Sequence, residues 1–380
     1  MQVCWLRLGT NGAKLATLVW LACGVPTAQA APAILKDPPE PLPKEIVVTW
    51  QKAGADAGWM GVNRFGYLVF DKDLNGLANA LPAFHFPSWV EGAVSDLPAP
   101  GAPFGLDLGF TDVAKAGLKD LVKFKDLQLL DLRSTSLADG GLKELAGLTS
   151  LKSLNLGFTH VTDSGLKELA ALQSLQSLNL GDTRVTDAGL KELAELKSLQ
   201  SLELRFTQVT DAGLEELAGL KSLQSLDLSI TQVTDTGLKE LARLRNLQAL
   251  NLHDTQVTDA GLNELAGLTR LQALNLRNTQ ITDAALQVLA GLKNLQNLNL
   301  DGTQATDTGI KELVALKDLQ KLSLDGTQVT DAGIKELVAL KSLQVLDIDD
   351  TKTTNAGLNE LQKALPACWI RGRPHKQRDR

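Results

Sequence analysis

The sequence predicts an α/β solenoid, an elongated stack of short coils that each contain one strand and one helix. Two observations lead to this prediction. A unit such as LQSLNLGDTRVTDAGLKELAELKS at residues 175–198 recurs every 24 residues from about residue 104 to residue 364. Apolar residues make up 44% of the 380-residue chain but aromatic residues only 4%, so the core is mostly leucine. A unit this short cannot bury its own apolar face, and consecutive units must cover one another.

Each unit begins with a short strand. In LQSLNL, Leu178 and Leu180 alternate with polar residues, which places both on the buried face of a strand. The last strand position is leucine from Leu108 to Leu324 and Ile348 in the final unit, giving eleven units. Eleven strands about 4.8 Å apart form a face about 50 Å long.

A turn and a short helix follow each strand. Thr186 or Asp187 is placed to cap the amino terminus of the helix, and Leu190 and Leu193 share its inner face. A threonine three residues after each strand end, from Thr111 to Thr351, predicts a hydrogen bond to the backbone of its own turn or of the next one. Ten of the eleven units carry glycine before the first helical leucine, which indicates close helix packing.

The two ends of the stack depart from the repeat and are predicted to be caps. Residues 44–103 hold three tryptophans and precede the first unit, where an aromatic cap would cover the open end; a small ligand-binding domain is the alternative. Residues 365–370 form a shortened last strand in which Cys368 replaces a core leucine. Five prolines in residues 31–43 predict an extended linker, and residues 371–380 form a basic tail.

The first 30 residues have the features of an export signal. Arg7 and Lys14 precede an apolar run at residues 15–25, and a small-x-small cleavage site, Ala28-Gln29-Ala30, follows. The apolar run is too short to span a bilayer. The sequence therefore predicts an exported protein that is periplasmic, bound to the cell envelope or secreted.

A lipid anchor at Cys23 is the alternative to simple cleavage. A lipid-attachment signal has a small aliphatic residue three positions before the cysteine, and this chain has Trp20 there. The sequence therefore favours a cleaved signal over a lipoprotein.

Composition and motifs indicate a binding protein rather than an enzyme. The formal net charge of −6 disfavours nucleic acid, whose binding depends on neutralised phosphates. The sequence has no CxxC, HExxH, P-loop or dinucleotide fingerprint, and its four histidines are far apart. No catalytic residue, cofactor or metal ligand is predicted, and an enzymatic role would have to rest on residues 44–103.

The repeated pattern LxxLxLxxTxVTDxGLxxLAxLxx resembles the leucine-rich repeat family, in its 24-residue GALA-like or ribonuclease-inhibitor-like subclass. It is similar to exported leucine-rich repeat proteins of planctomycete bacteria, although threonine stands where asparagine is usual in the family. The resemblance implies a right-handed, curved solenoid with parallel strands on its concave face and short helices on its convex face. It also implies a protein that binds partners and performs no chemistry.

Positions that differ between units are the candidates for function, and the two residues after each strand differ most. In the amino-terminal units these and nearby positions carry aromatic and basic residues, which dominate the energy of protein interfaces. Exposed apolar residues on a solvent-facing column also require an explanation. The candidate binding residues are Arg133, Phe158, His160, Arg184, Arg205, Phe206 and Ile230.

The carboxy-terminal units carry acidic residues at equivalent positions: Asp301, Asp325, Asp347, Asp349 and Asp350. Three of them share one column, where like charges repel weakly. A weakly bound calcium ion or a basic partner would relieve the repulsion, and a solvated acidic face is the simpler interpretation.

The sequence thus predicts a non-enzymatic scaffold that binds an unidentified protein partner through its concave face. Neither nucleic acid nor a membrane span is part of this prediction. A self-associating structural component of the cell envelope is the alternative.

Overall fold

A computed structural model describes residues 39–63, 66–74, 76–113 and 115–372. The predicted signal peptide, most of the proline-rich linker and residues 373–380 of the basic tail lie outside the described residues. No helix in the described part of the chain is both long enough and apolar enough to cross a bilayer.

The amino-terminal region forms a small antiparallel sheet that continues into the repeats. It consists of α1 (Lys44–Lys52), β1 (Asp56–Val62), β2 (Leu68–Asp71) and β3 (Ala78–His85). Strand β1 pairs antiparallel with both β2 and β3, and β3 pairs in parallel with the first repeat strand. The region therefore adds strands to the edge of the sheet that the repeats build.

An aromatic cluster joins this region to the first coils. Trp50 is fully buried and stacks on Phe84 with 4.2 Å between ring centroids. Phe104 and Phe124, from the first repeat, lie 5.9 and 5.2 Å from the same tryptophan ring. Aromatic side chains thus cover leucines that would otherwise face water at the end of the stack.

Each repeat unit, called a coil below and numbered 1 to 11, contributes one strand to a parallel sheet. Residues 24 positions apart pair directly: Leu178 is opposite Leu154 on one side and Leu202 on the other. Equivalent residues therefore form straight columns. The coil strands are β4 (Phe104–Asp107), β5 (Leu127–Asp131), β6 (Ser153–Asn155), β7 (Ser177–Asn179), β8 (Ser201–Glu203), β9 (Ser225–Asp227), β10 (Ala249–Asn251), β11 (Ala273–Asn275), β12 (Asn297–Asn299), β13 (Lys321–Ser323) and β14 (Val345–Asp347).

A short helix follows each coil strand, and among the described residues four coils also contain 3₁₀ segments, at Asp120–Lys123, Lys167–Ala171, Leu265–Gly267 and Leu337–Ala339. The α-helices are α2 (Lys115–Lys119), α3 (Asp139–Leu145), α4 (Asp163–Leu166), α5 (Asp187–Leu193), α6 (Asp211–Leu217), α7 (Asp235–Leu241), α8 (Asp259–Glu264), α9 (Asp283–Leu289), α10 (Asp307–Leu313), α11 (Asp331–Glu336) and α12 (Asn355–Ala364).

The sheet ends at β15 (Trp369–Arg371), which pairs in parallel with β14. The complete strand order is β15-β14-β13-β12-β11-β10-β9-β8-β7-β6-β5-β4-β3-β1-β2. Cys368 is buried immediately before this last strand, whereas Trp369, its first residue, is largely exposed. The sheet is open, with β2 and β15 as its edges.

The core consists of leucine columns that run the length of the stack. Leu178 and Leu180 are at most 1% exposed, as the alternation predicts, and Leu190 and Leu193 of the helix are fully buried. Each coil covers the leucines of the next, so nearly all of the stabilising apolar burial is shared between neighbours.

A ladder of aspartate–threonine hydrogen bonds fixes each helix to the one before it. The Asp187 carboxylate accepts from the Thr210 backbone N–H and from the Thr210 hydroxyl, both at 2.7 Å. The same Thr210 hydroxyl accepts the Ala212 N–H at 3.3 Å and so caps its own helix. The pair of bonds recurs in every coil contact from Asp139–Thr162 to Asp331–Thr354.

The ladder explains two features that the sequence left open. Threonine is the cap, while the aspartate bonds the following coil. A Cβ on Gly213 would lie 2.5 Å from a carboxylate oxygen of Asp187, so the glycine column leaves room for the ladder. A second threonine recurs three residues after each strand end. In coil 4 the hydroxyl of this threonine, Thr183, donates to the Leu180 carbonyl of its own turn at 2.6 Å and not to a neighbouring coil.

Replacing Asp187 with alanine removes both acceptors for Thr210 in the middle of the stack. We expect a loss of about 2 kcal/mol in the free energy of unfolding, because a partly buried N–H and O–H lose their partners. Urea denaturation followed by circular dichroism measures this loss. Asn355→Ala is the matched control, since Asn355 holds the same position in the last coil, and it should change stability by less than about 0.5 kcal/mol. Equal effects would contradict the ladder.

Candidate functional site

Three columns of variable residues lie where the strands leave the sheet. The first, called the exit column, follows the last strand leucine and includes Arg133 and Arg205. The second, called the turn column, is next in the chain and includes Phe158 and Phe206. The third, called the outer column, follows the buried threonine and includes Arg184. The predicted binding residues are therefore divided among three adjacent columns.

The turn column has a left-handed backbone in every coil. In coil 3 the φ angle of Phe158 is 58°, and Phe206 and Ile230 each have a φ of 56°. Bulky side chains rarely adopt this conformation, and a β-branched residue such as isoleucine does so least of all. Gly302 and Gly326 hold the same position in coils 9 and 10, where glycine meets no steric penalty.

Large apolar side chains are exposed along the amino-terminal part of this edge. Phe158 is 41% exposed and Phe206 is 56% exposed, as predicted, while Ile230 is partly buried. Phe110 in coil 1 is 69% exposed, and Val90, just before coil 1, is 70% exposed. Four of the six large apolar residues that are exposed in the described part of the chain thus lie on this edge. We call the edge from Ser88 to Ile230 the rim.

The arginines of the exit column lie beside the rim. The Arg133 guanidinium is 3.2 Å from the Asp131 carboxylate and 5.4 Å from the centre of the Phe110 ring. Burial raises the pKa of the Asp182 carboxyl, and the nearby positive charge of Arg205 opposes this shift. At Arg133 and Phe110 a basic group therefore stands next to an exposed aromatic ring, which is the combination found at energetic centres of protein interfaces.

His160 and Arg184 lie in the outer column and are exposed. Short bridges between neighbouring coils, Ala138 with His160 and Thr162 with Arg184, keep this column straight. His160 follows Phe158 by two residues, so it lies in the outer column next to the turn column of the same coil. Phe158, Phe206 and Ile230 follow their strands and lie in the left-handed turn at the border of the concave strand face, because the chain turns immediately after the exit column.

The acidic residues of the carboxy-terminal coils are less solvated than predicted. Asp301 and Asp347 are buried, at 6% and 3% exposure. An Asp301 oxygen accepts the Asp325 N–H at 2.9 Å, and an Asp325 oxygen accepts the Asp349 N–H at 2.6 Å. Asp347 is 2.8 Å from the Arg371 guanidinium. Asp301 and Asp325 thus satisfy a backbone N–H of the following coil, Asp347 pairs with the last strand, and Asp350 stays partly exposed in the turn column.

Calcium has no evident cage in this patch. Among the residues that the structure describes, no group of three or more histidine, cysteine, aspartate or glutamate side chains is arranged to hold a metal ion. The carboxylates of Asp301 and Asp325 instead use oxygens to accept backbone N–H groups.

Comparisons with known proteins agree with this architecture. Residues 220–368 match the model of a leucine-rich repeat region, and residues 147–170, 171–194 and 195–218 each match the model of a single leucine-rich repeat. The chain belongs to the leucine-rich repeat family. The predicted fold class and family are thereby confirmed, while the GALA-like subclass and the likeness to planctomycete proteins stay predictions.

One solved structure has a similar course of the chain. An internalin from Listeria monocytogenes superposes with a TM-score of 0.55 at 22% identity, over 88% of this chain and 90% of that one. A leucine-rich repeat protein from Leptospira interrogans is 24% identical over 74% of this chain and 91% of its own, with a TM-score of 0.41. No curated protein sequence matches the chain. The internalin likeness concerns the fold alone.

Two carboxyl groups, Glu203 in a coil strand and Asp325 in the exit column, have pKa values raised above their ordinary range. Burial, together with the adjacent Asp227 carboxylate, raises the pKa of Glu203 to about 8, although Arg205 and a hydrogen bond from Asn179 oppose the shift. Burial raises the pKa of Asp325 to about 6, with help from the neighbouring aspartates. At pH 7 Glu203 is therefore mostly protonated, and it offsets little of the positive charge of Arg205.

Sequence reasoning missed two members of the rim. Phe110 occupies the turn column of coil 1, and the 24-residue spacing from Phe158 back through Ser134 would have found it. Val90 could not be found in this way, because the preceding region does not follow the repeat. Its position follows from the hydrogen bond of the Phe86 N–H to the Asp107 carbonyl, which continues the pairing of the coil strands into the cap.

The raised pKa of Glu203 predicts that this leucine-rich repeat protein is less stable at high pH. The unfolded chain releases the proton near the ordinary value of 4.5 but the folded chain only near 8, so stability falls as pH rises through that range. Glu203→Gln should flatten the fall in melting temperature between about pH 5 and pH 8. Glu215→Gln, at an exposed helix position, is the control and should leave the slope unchanged. A slope unaffected by Glu203→Gln would contradict this assignment.

Because the turn column has a left-handed backbone, we expect phenylalanine at this position to lower the free energy of unfolding. Phe206→Asn should raise the free energy of unfolding by about 0.5–1 kcal/mol, because asparagine tolerates this conformation and the ring is largely exposed. The reciprocal change, Asn278→Phe in coil 8, should lower it by a similar amount. Chemical denaturation of both variants checks this pair. A stability loss in Phe206→Asn would show that the ring contributes packing that outweighs the strain.

Proposed function

We propose that this leucine-rich repeat protein is a non-enzymatic scaffold that is exported to the cell envelope and binds a protein through the rim and the adjoining concave face of coils 1 to 6. The main support for the proposal is that the rim phenylalanines are unfavourable in the isolated chain for two reasons. They are exposed to water and they also occupy a left-handed backbone. Neither the solubility nor the stability of the isolated chain explains such residues, whereas a bound protein that buries them does.

The neighbouring charges support a protein as the partner. Arg133 lies beside the Phe110 ring, Arg205 directly precedes Phe206 in the chain, and burial keeps Glu203 mostly neutral at pH 7. A guanidinium group next to an aromatic ring offers both apolar contact and hydrogen bonds to a partner carboxylate or carbonyl. Repeats of this family commonly serve as interaction scaffolds, and the residue chemistry of the patch is that of an interface rather than of a reaction centre.

Export is supported by sequence features alone. The charged start, the apolar run and the Ala28-Gln29-Ala30 site belong to residues outside the described structure. Comparing the amino-terminal residue of the protein recovered from its source cells with Met1 would test this part of the proposal. Recovery of the intact amino terminus from the cytoplasm would contradict it.

Placing charges on the rim should abolish binding without unfolding the chain. In Phe158→Asp/Phe206→Asp both carboxylates lie in exposed turns, where aspartate already occurs at Asp182 and Asp254. We expect capture of partner proteins from source-cell envelope extract to fall by at least about tenfold, as for the loss of an interface hot spot. Quantitative pull-down with the purified full chain measures the change.

The matched control adds the same two charges to the carboxy-terminal half of the edge. Asn278→Asp/Gln328→Asp should leave capture unchanged, and circular dichroism should show all three proteins folded. Equal capture by the rim variant and the wild type would remove the rim from the proposal.

Self-association within the envelope is a second candidate function. It is favoured by the order of large and small side chains along the rim, which fits a copy of itself. Light scattering that increases with protein concentration distinguishes it from a monomeric scaffold.

A further inference from the structure

Large and small side chains alternate along the rim from Ser88 to Phe206, and Ile230 at its far end lies outside this alternation. From coil 1 through coil 5, consecutive positions of the turn column are Phe110, Ser134, Phe158, Asp182 and Phe206. Ser88 of the cap lies at the level that precedes Phe110, because the Phe86 N–H bonds the Asp107 carbonyl as the Leu108 N–H bonds the Asp131 carbonyl, although Ser88 does not share the left-handed backbone of the column. Since neighbouring strands lie about 4.8 Å apart, a phenylalanine recurs about every 9.6 Å with a gap between each pair.

We propose that the partner of the rim is a second copy of this chain, bound antiparallel about a two-fold axis that passes between coils 2 and 3. The inference rests on the proposed function, because it assumes that the rim binds protein. A two-fold interface brings a patch against itself in reverse order. With the axis in this place, Phe158 faces Ser134, Phe110 faces Asp182 and Phe206 faces Ser88 of the second copy. Every ring therefore enters a gap.

The charges of the outer column match the same axis. Asp112 in coil 1 and Arg184 in coil 4 are both exposed and lie at equal distances from it on opposite sides. Each Asp112 therefore faces Arg184 of the second copy, and the symmetry makes this contact twice. Steric and electrostatic patterns come from different columns, so their agreement on one axis is an independent argument for it.

Other placements of the axis fit less well. Moving it between coils 3 and 4 brings Phe110 against Ile230 and His160 against Arg184, which pairs two large side chains and two basic ones. Moving it onto a coil places phenylalanine opposite phenylalanine, because the alternation has a period of two coils. The axis between coils 2 and 3 is therefore the register that both columns select.

The size of the rim predicts a weak dimer. The six positions from Ser88 to Phe206 span about 24 Å, and an interface of this length buries less than the roughly 800 Å² per partner of a standard complex. We expect a dissociation constant in the micromolar range, on the order of 1–100 μM. Sedimentation velocity of the purified full chain from about 1 to about 200 μM covers this range.

Charge reversal tests the register. D112R or R184D alone should weaken dimerisation by about tenfold or more, because two like charges then face each other twice. The double variant D112R/R184D exchanges the two charges and should restore the dissociation constant to within about threefold of the wild type. Both residues are exposed, so circular dichroism should report unchanged folding. Q280R and K352D, in the outer column of coils 8 and 11, are the controls and should dimerise normally.

Several outcomes would overturn the proposal. The chain could stay monomeric to about 200 μM, the single variants could dimerise like the wild type, or the double variant could fail to recover. If the chain is monomeric but Phe158→Asp/Phe206→Asp still loses capture of another protein, the dimer is wrong and the rim's binding function stands. If D112R/R184D restores the dimer but Phe158→Asp/Phe206→Asp captures other proteins as the wild type does, the dimer stands and the rim does not bind a different protein.

Discussion

The structure depends on the fact that a coil can hide its leucines only behind another coil. Burial supplies the cohesion, but it is not directional and would allow neighbouring coils to slide. The bonds from Asp187 to Thr210 and their equivalents supply the missing direction, because a carboxylate that accepts from one N–H and one hydroxyl fixes position as well as distance. Packing and hydrogen bonding thus agree on a single register of 24 residues.

The same constraint explains why the ends differ from the middle. Coil 11 has Asn355 in place of the ladder aspartate, and no further coil offers a threonine for it. Coil 1 has Lys115 at this position, and coil 2 correspondingly has Ala138 in place of the threonine. At the amino terminus, Trp50 and its aromatic neighbours cover the first leucines instead. The molecule uses an irregular cap where the repeat can no longer satisfy itself.

A stack of identical coils leaves few positions free to carry specificity. The core columns are fixed by packing, and the ladder residues are fixed by hydrogen bonds. Residues of the exit, turn and outer columns meet neither requirement, which is why they vary. In the carboxy-terminal coils the turn column adopts what its backbone favours, including Asn278, Gly302 and Gly326. In the amino-terminal coils it carries phenylalanine against both backbone preference and solvent, and this contrast supports the proposed binding site in that half of the edge.

The sequence by itself determined the coil, its length, its buried leucines and the stacking of equivalent residues, because these follow from a fixed period and the need to bury apolar groups. Only the tertiary structure decided what each polar residue does. Asp301 and Asp347 were predicted to be solvated and are buried, since carboxylates at strand ends accept backbone N–H groups or pair with an arginine from the next strand. The left-handed turn that carries Phe158 to the border of the sheet, and the place of Val90 beside it, also depend on backbone geometry and strand pairing. A one-dimensional pattern records which residues recur, but it does not record the direction in which the chain turns between them.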